Sequence, residues 1–165
     1  ELDEDGLVLD EVAYFEWERR HPDIGTNAGE IRIGDGAPCS AAFAEEFAAL
    51  LAGSWTIDPL DMAKRLYAED CLVESLYAGP GSALVGYGAL EARERHLLDV
   101  LPGPHRKMTV RRAIAEGRIL ALQTTLEGRV DGAEPLMAWE GSLLLTLDAS
   151  DRIVSSRSYL DWSLG

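Results

Sequence analysis

The last third of the chain constrains the fold most. Residues 136–147 and 152–162 alternate apolar and polar positions, and Asp148-Ala149-Ser150-Asp151 joins them. Period-two alternation on both sides of a short polar turn predicts a long antiparallel hairpin with one buried face. A hairpin cannot cover that face by itself, so helices or further strands must pack on it. Just upstream, residues 107–115 and 118–129 flank Glu116-Gly117, a second hairpin turn, and Asp131-Gly132 leads into the final hairpin.

Helical signals come earlier. Phe43, Phe47, Leu50 and Leu51 form a stripe that ends at Gly53, and Asp58 then reads as an N-cap with Pro59 at the first helical position and Asp61 in the first turn. Residues 71–77 make a short strand, Gly79-Pro80-Gly81 turns the chain, and Gly86 opens a third helix that Pro102-Gly103-Pro104 ends. Three helices followed by a β-meander predict an α+β domain over residues 40–165. Residues 1–39 form an acidic N-terminal extension. Val8, Val12 and Phe15 at helical spacing, with Trp17 beside them, predict a short docking helix that Pro22 stops, and the glycines at 25, 29, 34 and 36 with Pro38 predict an irregular lid or linker. Tyr14, Phe15 and Trp17 suit a lid over a pocket mouth or a dimer seam; a loosely held acidic tail is the alternative.

A chain of 165 residues, 47% of them hydrophobic, can bury one real core without disulfide or metal staples. Its 29 acidic against 15 basic residues give a formal charge of -14, which repels phosphate backbones and anionic lipid, so neither nucleic acid nor membrane is expected as a partner. No apolar run reaches the roughly 20 residues that span a bilayer, and the acidic first residues are unlike a signal peptide, so a soluble, cytoplasmic protein is expected. Cys39 and Cys71 lack C-x-x-C spacing and read as reduced thiols, with no metal site.

The helix pair, the phrase Leu66-Tyr67-Ala68-Glu69-Asp70-Cys71-Leu72-Val73-Glu74, the Gly-headed helix and the ending Ser158-Tyr159-Leu160-Asp161-Trp162 together resemble the SnoaL-like branch of the nuclear transport factor 2-like superfamily over residues 40–162. Relatives include SnoaL-type polyketide cyclases, limonene epoxide hydrolase and ketosteroid isomerase. The resemblance implies a curved antiparallel sheet wrapped as a cone around helices, one apolar pocket for an apolar small-molecule substrate, a homodimer, and carboxylate chemistry without cofactor or metal. The isomerase keeps its base directly after a Val-Glu pair on the first strand, and here Ser75 follows Val73-Glu74. The cyclases and the hydrolase keep an acid just before the final aromatic pair, and that position is Ser158. The hydrolase's Arg-x-Asp maps between Gln123 and Glu127, where the arginine is absent and Glu127 stands in for the acid only if the strand is shifted.

Three charged residues remain as catalytic candidates. Taking Leu90, Leu97 and Leu101 as the buried stripe of the third helix, the helical repeat puts Arg93 or Glu94 on the same face, where a charge needs a partner or a ligand. The alternative is that both sit at the stripe's edges and reach water along their stems. Glu46, flanked by Phe43, Phe47 and Leu50, matches the place of the isomerase's oxyanion-stabilising tyrosine. In an apolar cavity its carboxyl would act as a neutral donor or general acid; on a solvated face shared with Glu45 it would do neither. The family register puts Ser75, Ser156 and Ser158 on the concave face as substrate-binding hydroxyls, or as mere space-makers, with Val73, Tyr77, Trp139 and Leu143 as apolar lining. The same alternation turns Glu140 and Asp161 outward as surface or dimer contacts. His21, His96 and His105 support no nucleophilic triad. Two functions follow as expectations. One is a cofactor-independent enzyme of natural-product, polyketide-like biosynthesis that cyclises, isomerises or opens an epoxide by general acid-base catalysis. The other is a noncatalytic small-molecule-binding or dimerisation module.

Overall fold

Short polar side chains start the helices. In the computed structural model, which describes residues 34–75, 83–102, 105–129 and 136–160, Ser40 Oγ accepts the Phe43 N–H (3.1 Å) at the head of α1, Ala41–Ile57. Asp58 Oδ1 accepts the N–H groups of Leu60 (2.9 Å) and Asp61 (3.0 Å) and, with Pro59, starts α2, Pro59–Leu66. α1 does not end at Gly53 as expected; it runs on to Ile57 because Trp55 packs into the core beyond the glycine. Gly86, at a φ of 83° that favours glycine, opens α3, Tyr87–Val100.

The strands are β1 Tyr67–Ser75, β2 Leu84–Val85, β3 Lys107–Glu116, β4 Ile119–Gly128, β5 Met137–Leu147 and β6 Ile153–Leu160, in the order β2-β1-β6-β5-β4-β3. β3 to β6 form the expected antiparallel meander, and Asp148 Oδ1 closes its last turn on the N–H groups of Ser150 (2.8 Å) and Arg152 (2.9 Å). The sheet is curved and open, but it is mixed rather than wholly antiparallel, because β1 lies parallel to β6. Local alternation signals hairpins; a parallel neighbour joined through most of the chain leaves no local trace. On the outer face of that junction Glu74 stands opposite Arg157, and the two form a largely buried ion pair through Arg157 Nε and Glu74 Oε2. β1 also starts earlier than residue 71, and β2 had no counterpart in the sequence reading.

Cross-strand partners share a face. The register aligns Val73 with Ser156, Leu145 with Ser156, Leu143 with Ser158, Trp139 with Leu126 and Gly141 with Thr124, so these residues lie on one face. That face carries the core with Phe47, Leu51 and Trp55 of α1 and Leu90 of α3. α1 packs along β3, while α3 packs on β1, β2 and α2. Residues 34–40 have no regular structure, as their glycines and Pro38 imply, yet they are tied to the sheet: the Cys39 N–H donates to Gly117 O (2.7 Å), and Arg118 Nη1 donates to Ala37 O (3.3 Å). The docking helix expected within residues 7–20 lies outside the described residues.

Arg106 joins the C-terminal ends of two helices. Buried, it donates to Thr56 O of α1 (3.3 Å) and Leu101 O after α3 (3.5 Å), and its guanidinium lies 5.4 Å from the Trp55 ring centroid. A cation there satisfies orphan carbonyls and complements both helix dipoles. Arg106→Met is expected to lower unfolding stability by about 2 kcal/mol in a denaturant titration monitored by tryptophan fluorescence; an unchanged midpoint would show that this clamp carries no stability.

Candidate functional site

On α3 the helical repeat places Leu90, Glu94 and Leu101 toward the sheet, and all three are fully buried. The expectation that a charge shares the apolar stripe is met by Glu94. Arg93, the next residue round the helix, keeps 27% of its side chain exposed against 1% for Glu94. It folds back and donates from Nε to Glu94 Oε1 (3.2 Å), with a second, closer contact from Nη2 to the same oxygen. The other carboxylate oxygen, Oε2, is buried and has no hydrogen-bond partner.

Two residues from the sheet complete this cluster. Tyr67, at the start of β1, and Ser156 of β6 are both buried, and the charges of Arg93 and Glu94 act on the Tyr67 phenol. Burial pushes the Tyr67 phenol above its ordinary 10.0; Arg93 and the Ser156 hydroxyl oppose the rise, and Glu94 and Cys71 add to it. Tyr67 is therefore a neutral hydrogen-bonding group at physiological pH. For Arg93, burial works against the charge, but the Glu94 carboxylate and Tyr67 outweigh it and hold the guanidinium above its usual value. Arg106 also feels this carboxylate: burial lowers its pKa, and the Glu94 and Asp58 charges resist.

The expected site is thus partly assembled. Val73, Trp139 and Ser156 are buried on the inner face, Leu143 packs against the core, and Ser158 is half-buried with its hydroxyl donating to Glu74 O (3.4 Å). Ser75 stands opposite Ser158 in the β1–β6 register, and Tyr77 lies outside the described residues. Glu46 does not join them. It is exposed on α1, because Ala44, Phe47, Ala48 and Leu51 take the inward positions, so the apolar surroundings that its acid role required are missing. Glu140 and Glu127 face outward, Glu140 pairing with Arg111 (2.9 Å) and Glu127 with Lys107 (4.0 Å). With Leu126 opposite Trp139, Glu127 is on the wrong face to replace a pocket acid.

Sequence reasoning missed Tyr67, Thr124 and Arg106. Tyr67 precedes the stretch whose alternation was read as a strand. Thr124 Oγ1, buried and without a hydrogen-bond partner, turns inward only through its pairing with Gly141. Arg106 follows a Pro/Gly segment that carries no periodicity.

The described residues also form two open surface grooves. One of about 560 Å³ is lined by Lys64, Glu69, Tyr87 and Arg152 with Gly86 and Gly88, and one of about 310 Å³ lies between α1 and α2 at Leu50, Gly53, Ile57 and Asp61. Neither touches the Glu94 cluster. Among the described residues no group of three or more His, Cys, Asp or Glu side chains is placed to hold a metal ion, and no helix is long and apolar enough to cross a membrane.

Solved structures share this architecture. A SnoaL-like protein of unknown function from Burkholderia thailandensis superposes with a TM-score of 0.62 at 20% identity, over 75% of this chain and 99% of its own. The chain has the SnoaL-like, ketosteroid isomerase-like fold. A Catenulispora acidiphila protein with the ketosteroid isomerase-like fold, in complex with trimethylamine, matches at TM-score 0.62 and 18% identity over 72% of this chain and 86% of that one. IdmH of Streptomyces antibioticus, a proposed polyketide cyclase, matches at 0.62 and 16% identity, covering 73% and 94%. No protein-family model and no curated protein matches the chain. In this SnoaL-like fold the buried acid sits on α3, whereas Ser75 and Ser158 occupy the strand positions at which the sequence resemblance implied carboxylates.

Removing one member of a buried pair strands the other. Arg93→Met is therefore expected to cost about 3 kcal/mol of stability, and adding Glu94→Leu to recover most of it, in paired denaturant titrations. Equal losses in the single and double variants would mean that the ion pair is not what the core depends on.

Proposed function

We propose that the protein is a cofactor-independent enzyme that cyclises, isomerises or opens an epoxide in an apolar, polyketide-like small molecule, with Glu94 as the proton-exchanging group. One observation carries this reading: a carboxylate with one oxygen held by Arg93 and the other buried without a partner, set among the apolar residues of the inner face. Water-excluded carboxylates suit general acid-base work, because proton exchange with substrate faces no competition from bulk solvent. Arg93 supplies a fixed positive charge beside the reacting group and orients it. Ser156 and Ser158 contribute hydroxyls near the substrate, and Val73, Trp139 and Leu143 the apolar wall. The polyketide class rests on the likeness of fold to proteins such as IdmH. Glu46, exposed on α1, has no part in the mechanism. A homodimer acting on an apolar small-molecule substrate belongs to the same proposal.

The second reading, a noncatalytic binding module, draws on Ser75 and Ser158 standing where the resemblance implies acids. A panel of apolar polyketide-like enones and epoxides, followed by mass spectrometry, separates the two. Turnover by the wild type is expected to fall by roughly 10²–10⁴ in Glu94→Gln, and to be unchanged in Glu46→Gln. Full activity in Glu94→Gln would end the catalytic assignment, and saturable binding without turnover across the panel would favour the binding module.

A further inference from the structure

α1 buries Phe47, Leu51 and Trp55, yet on its solvent side Leu50 is 42% and Ile57 83% exposed. A single exposed apolar residue is ordinary. These two stand two turns apart on one face, with Gly53 between them, and line the groove that α1 forms with α2. Glycine weakens a helix interior, and a side chain at Gly53 would meet nothing within 4 Å, so packing among the described residues does not call for one. The result is a notch between two apolar knobs. One turn earlier on the same stripe stands Glu46, also exposed.

We propose that residues 8–19 of this same chain pack as an antiparallel helix along that face of α1, with Val8 on Ile57, Val12 over the Gly53 notch, Phe15 on Leu50 and Arg19 on Glu46. The spacings match: 8, 12, 15 and 19 advance by 4, 3 and 4, while 57, 53, 50 and 46 retreat by 4, 3 and 4, so three apolar contacts and one charge pair fall in register together. The tether agrees with this direction. Gly34 and Gly36 lie against Leu147, Arg118 and Ala149, and Cys39 is bonded to Gly117, which anchors the chain beside the start of α1 and nearest the Arg19 end. Residues 20–33 reach about 45 Å when extended, whereas Leu50 and Ile57 lie only about 14 Å and 24 Å along α1 from its first residue. Tethering supplies an effective concentration on the order of millimolar, so a short apolar contact suffices. Other occupants fit less well. β5 and β4 separate β6 from β3, on which α1 packs, so residues 161–165, with a reach of about 17 Å, would spend about 14 Å crossing the sheet alone. A second copy would find a strip two turns long, far short of the roughly 800 Å² per partner of a stable interface, and a formal charge of -14 on each chain opposes the approach. The contact lies apart from the Glu94 cluster and stands whether or not Glu94 is catalytic.

The full chain, methyl-labelled at Ile, Leu and Val, is expected to show nuclear Overhauser contacts from the Phe15 ring to the Leu50 methyls and from Val8 to Ile57. Backbone amides of residues 8–19 are expected to exchange with deuterium at least tenfold faster in Ile57→Glu and in Gly53→Phe than in the wild type, and at the wild-type rate in Val85→Glu, whose exposed side chain lies on β2. Charge exchange checks the register: Arg19→Glu and Glu46→Arg each speed exchange, and the double variant restores protection. Equal exchange in the wild type and Ile57→Glu, both folded by circular dichroism, would overturn the docking, as would a double charge variant no better protected than the singles. Phe15 contacts to Trp139 or Leu143 would put the segment over the inner face instead, and contacts seen only between differently labelled copies would make the occupant a second chain; either result defeats the proposal.

Discussion

A carboxylate that has lost all contact with water must be compensated by its neighbours, and Glu94 is such a group. Its immediate partner is the preceding residue in sequence, Arg93, which helix geometry directs elsewhere. Tyr67 of β1 and Arg106 before β3, both buried, feel the charge of Glu94. α3 is held in the core by Leu90 and Leu101, and Arg106 ties its C-terminal end to that of α1. By contrast, Arg65 with Asp61 and Arg95 with Glu91 are exposed i,i+4 pairs worth a few tenths of a kcal/mol, roughly.

The curved sheet sorts the charges of a very acidic chain. Glu74 with Arg157, Glu127 with Lys107 and Glu140 with Arg111 lie on its outer face, each paired with a cation from another strand. The inner face carries apolar residues, Ser156 and Ser158 of β6 and the orphaned hydroxyl of Thr124. Net charge says little about such an interior. What distinguishes Glu94 among the described acidic residues is that it is the one side chain fully removed from solvent.

The helix starts at Asp58 and Gly86 and the turn at Asp148 were legible in the sequence because capping and turn chemistry act within a few residues. The inward face of β5 and β6 was legible for the same reason: once Trp139 points in, alternation places Leu143 as well, and pairing carries it to Ser158. Glu46 was misplaced because three apolar neighbours do not reveal which of them lead the buried stripe; Ala44 and Ala48, small and easily overlooked, take the inward positions instead. The parallel β1–β6 junction left no mark, since its partners are separated by most of the domain.

Local chemistry in the sequence therefore determined the α+β class, the element order, the antiparallel meander and the presence of a charge on the buried stripe of the third helix. Only the tertiary structure decided that this charge is Glu94 and that Arg93 turns back to meet it. Periodicity fixes which way a residue points from its own helix or strand; which group faces it across the core depends on how distant elements pack, and no local pattern records that.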